Sequence, residues 1–65
     1  MNQDKLRIEV KNQKKNNSIQ YTYFSSKLNM NKNSFYNFMN NKSNLSEDKE
    51  EKLESILRRL KSYGL

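Results

Sequence analysis

The sequence predicts a small all-α domain of four helices, with a tight two-helix unit at its centre and its longest helix at the C-terminus. Three observations carry this. Phe24 and Leu28 are four apart and Phe35 and Phe38 three apart, so each pair shares one face of a short helix, with a polar break between them. Leu53, Ile56, Leu57 and Leu60 form an apolar stripe at helical spacing. Leu6 and Val10, four apart, give a first segment its own apolar face.

The first helix is expected over residues 4–16, with Asp4 as N-cap and Lys14 and Lys15 favouring the negative end of the helix dipole. Leu6, Ile8 and Val10 also alternate, so a strand paired across a dimer stays open as an alternative. Asn16, Asn17 and Ser18 break the pattern, and Ser18 is expected to cap a second helix from about Ile19 to Leu28. In that helix Ile19 turns inward beside Phe24, and Tyr21 and Tyr23 lie on partly exposed faces. A turn follows at 29–31. Asn29 stands where a left-handed backbone is needed, which Asn tolerates best after Gly, and Met30 plugs the turn from inside. Asn31 is expected to cap a third helix reaching about Asn40, and 40–44 is a polar loop. The last helix, about 46–62, has Ser46 as cap, Glu47 and Asp48 at its positive end, and a Glu54–Arg58 pair at i,i+4. Arg58, Arg59 and Lys61 occupy its last turns, Tyr63 extends its stripe, and Gly64 is placed as its stop.

Size and composition narrow the function. The chain has 65 residues, enough for a single core that buries about 60% of the unfolded surface. It has no Cys and no His, which removes disulfides, zinc–thiolate sites and the commonest general base; no cofactor and no metal site is expected. No Gly-rich phosphate loop and no sheltered carboxylate pair points to an enzyme, and no small-molecule substrate is expected. The run Glu47, Asp48, Glu50, Glu51 reads as dipole matching at a helix start rather than a metal cluster. The charged, polar N-terminus holds no apolar run of signal-peptide or membrane-span length, so a cytoplasmic protein with no membrane partner is expected, and Met1 reads as a native start. The net charge of +6 is uneven: residues 1–45 carry eight basic and two acidic groups, residues 46–65 five of each. The whole excess therefore lies on the segment with the paired short helices, which suits one anionic partner there and one protein partner elsewhere.

From Phe24 to Phe38 the residues resemble the helix-turn-helix of the lambda repressor/Cro-like DNA-binding family. That pattern runs apolar, small, two variable residues, apolar, Gly, apolar, then a polar run and two apolar residues three apart. Phe24, Ser25, Leu28, Asn29, Met30, Phe35 and Phe38 occupy it, with Ser25 where Ala and Asn29 where Gly are commoner. The resemblance covers roughly Ile19 to Leu45, with the helix-turn-helix itself at about 19–40. It implies a sequence-specific double-stranded DNA-binding transcriptional regulator, a repressor of phage or mobile-element type, reading the major groove with helix 31–40.

On that reading Lys32, Asn33, Tyr36 and Asn37 are the base-reading candidates, because Lys can donate to guanine and Asn can pair with adenine in a bidentate way. Ser18, Gln20, Tyr21, Asn31, Asn40, Asn41 and Lys42 are the phosphate candidates, with Lys27 a weaker one. A module this small needs two copies on a palindromic site, so a homodimer is expected through Leu53, Ile56, Leu57 and Leu60; Leu53 and Leu57 could instead close the monomer's own core. The competing reading is a helix-turn-helix module that grips a protein, as an antirepressor or phage-type inhibitor, using Tyr36 and Met39. Binding of single-stranded RNA is disfavoured, because no exposed aromatic stacking platform is evident.

Overall fold

The computed structural model describes residues 3–62. It is all-helical, with α1 at Gln3–Asn17, α2 at Tyr21–Lys27, α3 at Lys32–Met39 and α4 at Glu47–Ser62. Tyr63 and Gly64 lie outside the described residues. The first segment is a helix throughout: Leu6 and Val10 are wholly buried while Ile8, between them, is 58% exposed, as a 3.6-residue period requires. Asp4 is not its cap, because the helix already includes Gln3 and the Asp4 carboxylate accepts from Arg7 one turn on.

One core serves all four helices. Leu6 and Val10 of α1, Phe24 and Leu28 around α2, Phe35, Phe38 and Met39 of α3, Leu45, and Leu53 and Leu57 of α4 form a single buried cluster. Phe35 is central, stacked on Phe24 (ring centroids 6.1 Å apart) and tilted against Phe38 at 5.8 Å. Buried Ser25 gives its hydroxyl to the Thr22 carbonyl at 3.1 Å, so it fills the role of a small apolar residue with no orphaned polar atom.

Left-handed residues set the helix ends. Asn29 (φ 57°) closes α2: its N–H donates to the Ser26 carbonyl and the Met30 N–H to the Ser25 carbonyl, the paired bonds of a Schellman cap. Asn41 (φ 68°) closes α3 in the same way, donating to Phe38 while the Lys42 N–H donates to Asn37. Ser18 also has positive φ (58°), so it terminates α1 and does not cap α2. Gln20 is the N-cap of α2, without a side-chain capping bond, and α2 starts at Tyr21 rather than at Ile19. Asn31 caps α3 as expected, its side-chain oxygen accepting from the Ser34 N–H at 2.8 Å, and the Ser46 hydroxyl accepts from the Lys49 N–H at the start of α4.

Two polar side chains of α1 hold the loop that leads out of α3. The Gln3 amide accepts from the Leu45 N–H at 3.0 Å and donates to the Leu45 carbonyl at 3.2 Å, pairing with that residue as a second backbone would. Arg7 is 7% exposed. Its guanidinium donates to the Phe38 carbonyl, to the Ser43 carbonyl (2.9 Å), to the Asn44 side chain (3.0 Å) and to Asp4 (2.8 Å), and lies 4.5 Å from the centre of the Phe38 ring. The end of α3 is thereby fixed to α1.

Candidate nucleic-acid interface

The outward face of α3 follows from what it buries. Phe35, Phe38 and Met39 point into the core, so Asn33 and Asn37, four apart, share the opposite side. Both are exposed, and Lys32 and Tyr36 flank them. Met39 is only 5% exposed, so it offers no protein-binding surface, contrary to the expectation that paired it with Tyr36. With eight residues α3 is roughly 12 Å long, close to the width of a B-DNA major groove, about 12 Å.

Beside α3 lies a ladder of aromatic rings and cations. Tyr21, the first residue of α2, meets Tyr36 edge to face at 5.7 Å and Phe35 at 5.9 Å. The Lys32 ammonium stands 5.9 Å from the Tyr36 ring centre, and the Lys14 ammonium 4.4 Å from that of Tyr21. Tyr36 is thus braced from one side rather than free. Lys14, read from sequence as a helix-end charge, is brought to the edge of the same face. Its position depends on a ring seven residues later, beyond a turn, which no spacing rule covers. Further along α1, Lys11 lines a shallow hollow with Asn40 and Asn41 at the other end of α3. The exposed lysines thus lie at two edges of α3: Lys14 and Lys32 beside the Tyr21–Tyr36 pair, and Lys11 and Lys42 at its C-terminal end, where Asp4 lines the same hollow as Lys11.

The predicted phosphate set does not form one group. Tyr21 joins the α3 face, and Asn40, Asn41 and Lys42 follow its C-terminus, all three exposed. Ser18 and Gln20 line a separate hollow with Thr22, Tyr23, Ser26 and Lys27. The Asn31 side-chain oxygen is committed to its capping bond. The expected dimer stripe also divides: Leu53 and Leu57 are buried inside the monomer and unavailable to a second copy, while Ile56 and Leu60 are half-buried. Among the described residues no His/Cys/Asp/Glu group could hold a metal ion, and no helix is long and apolar enough to cross a membrane.

Compared with protein-family models, with curated proteins and with solved structures, the chain finds no match.

Proposed function

We propose that the chain is a sequence-specific double-stranded DNA-binding regulator that places α3 in the major groove, with α2 and α3 acting as a helix-turn-helix. The observation that carries the reading is the division of α3: Phe35 and Phe38 are wholly buried, and this turns Asn33 and Asn37 outward among exposed lysines. Side-chain amides are suited to the adenine N6/N7 edge, and lysines to phosphates or guanine. Residues four apart on a helix rise by roughly 6 Å, against 3.4 Å per base pair. Asn33 and Asn37 would then read adenines about two base pairs apart, with Lys32 and Tyr36 reaching the flanking positions. Lys11, Lys14 and Lys42, with Tyr21, Asn40 and Asn41, would hold the backbone on either side.

A homodimer through the α4 stripe, expected from the spacing of its four aliphatic residues, is less favoured once two of them are buried in the monomer. Among the described residues only Ile56 and Leu60 remain for it, and Lys49, Lys52 and Arg59 outnumber Asp48 on their side of the helix, so a two-fold axis there would bring net positive charge together. Two copies would instead be brought together by adjacent half-sites. The test is selection of bound sites from a random duplex pool, followed by gel shift across salt. Recovery of an adenine-containing motif supports the reading; absence of any shift at low salt removes it.

A further inference from the structure

A recessed groove separates the outer face of α2 from α4. Tyr23, Ile56 and Leu60 form its apolar floor, and Lys27 and Arg59 its rim. It does not depend on the α3 face. Tyr23 is 39% exposed, Ile56 and Leu60 are half-buried, and the Lys27 ammonium lies 5.6 Å from the Tyr23 ring centre. On α4, Lys52 precedes Ile56 by four residues and Lys49 by seven, so both continue the stripe along the helix. Among the described residues no carboxylate lines the groove. Most acids of α4 lie on another side, where Glu47, Glu50, Glu51 and Glu54 line a hollow with Arg58; Asp48, four residues before Lys52, sits at the start of the lysine-bearing side. The two sides of α4 thus carry opposite net charge, and the positive one is the side whose apolar surface no other described residue covers.

We propose that this groove is a docking site for an acidic amphipathic helix of a partner protein. One or two apolar side chains would enter between Tyr23, Ile56 and Leu60, and carboxylates on either side of them would meet Lys27, Lys52 and Arg59. At about 200 Å³ the groove is smaller than a small-molecule pocket, which runs to roughly 300–1,000 Å³, and matches a side-chain anchor. A nucleic acid would satisfy the rim but leave the apolar floor unused. A second copy related by a two-fold axis would set Lys49, Lys52 and Arg59 against themselves. An acidic helix satisfies floor and rim together.

The test uses the full chain and a synthetic helical peptide with two leucines four apart, flanked by glutamates, and a control with glutamine at every glutamate. Titrated into the isotope-labelled chain at low salt, the acidic peptide is expected to shift the amides of Tyr23, Lys27, Ile56, Arg59 and Leu60 and to leave Asn33 and Asn37 unmoved. The glutamine control should bind about tenfold more weakly, because several rim pairs of ordinary surface strength combine. Arg59→Glu, at an exposed position, should weaken the acidic peptide similarly while duplex binding and the helical circular-dichroism spectrum are kept. No perturbation at millimolar peptide, equal binding of the control, or self-association of the unliganded chain through these same residues would each overturn the proposal. Loss of duplex binding by the unmodified chain would instead bear on the DNA reading alone.

Discussion

Replacing Arg7 by Met keeps the aliphatic stem and removes every donor of the side chain that joins α1 to the end of α3. Four hydrogen bonds and one cation–ring contact are lost, and they differ in weight. Asp4 is 73% exposed in its side chain, so its ion pair contributes little. Ser43 and Asn44 are exposed, and their acceptors recover water. The Phe38 carbonyl keeps the Asn41 N–H but loses a charge-assisted bond, worth about 1.5–3 kcal/mol. The cation over the Phe38 ring adds about 0.5–2 kcal/mol. Releasing a buried guanidinium from its desolvated site offsets part of the sum. The net expectation is a loss of about 2–3 kcal/mol, a large share of the roughly 3–10 kcal/mol available to a domain of this length. Urea denaturation followed by circular dichroism measures it directly. Arg7→Lys should recover half or less, since a single ammonium cannot serve acceptors arranged around a planar fork. Lys5→Met, at an exposed position on the same helix, should change stability by no more than about 0.5 kcal/mol. An Arg7→Met protein within about 0.5 kcal/mol of the parent would show that the guanidinium is not what fixes the end of α3.

Further outcomes follow from single residues. Asn29→Ala should cost about 1 kcal/mol because Ala resists the left-handed backbone at φ 57°, whereas Asn29→Gly should be neutral or slightly stabilising in the same denaturation assay. Leu53→Ala should lower stability by about 2–5 kcal/mol through a core cavity, and the loss should not change with protein concentration, as it would if Leu53 lay in a dimer interface. Lys14→Gln should make the log–log salt slope of duplex binding shallower by about 0.9 per bound copy, the effect of one phosphate contact each, with sequence preference unchanged.

The legible parts of this fold are those set by neighbours in sequence. Apolar spacing places Leu6 and Val10 of α1 and Phe35 and Phe38 of α3 on their buried faces but does not divide the α4 stripe into buried Leu53 and Leu57 and half-buried Ile56 and Leu60, while local backbone chemistry identifies Asn29 as the left-handed residue, Asn31 as a cap and Ser46 as another. The Glu54–Arg58 pair also forms, at 3.4 Å. What escaped depends on partners far along the chain. Arg7 reads as one polar residue among many until Phe38, Ser43 and Asn44 come to it, and Gln3 until Leu45 does. A hydroxyl before an apolar run, as at Ser18, signals a cap, but the positive φ of Ser18 makes it a helix end instead. Met39 follows Phe38 directly, and only the packing of α3 against its neighbours shows that both turn inward. At the candidate site, exposure of Lys32, Asn33 and Asn37 follows from the burial of Phe35 and Phe38. The contribution of Lys11 and Lys14 required the placement of α1 beside α3.

The central claim is that the asparagine- and lysine-bearing side of α3 reads duplex DNA. The measurement that tests it most directly is equilibrium binding of the parent and of a Lys32→Ala/Asn33→Ala double variant to the selected duplex and to a scrambled one, across salt. Three DNA-backbone lysines from each of two copies of the parent, about six phosphate contacts, predict a log–log slope near −5 on both duplexes and a clear preference for the selected one. The double variant should fold as the parent does, keep weak binding and lose the preference. A parent that binds neither duplex at low salt, or a double variant that still discriminates between them, would contradict it.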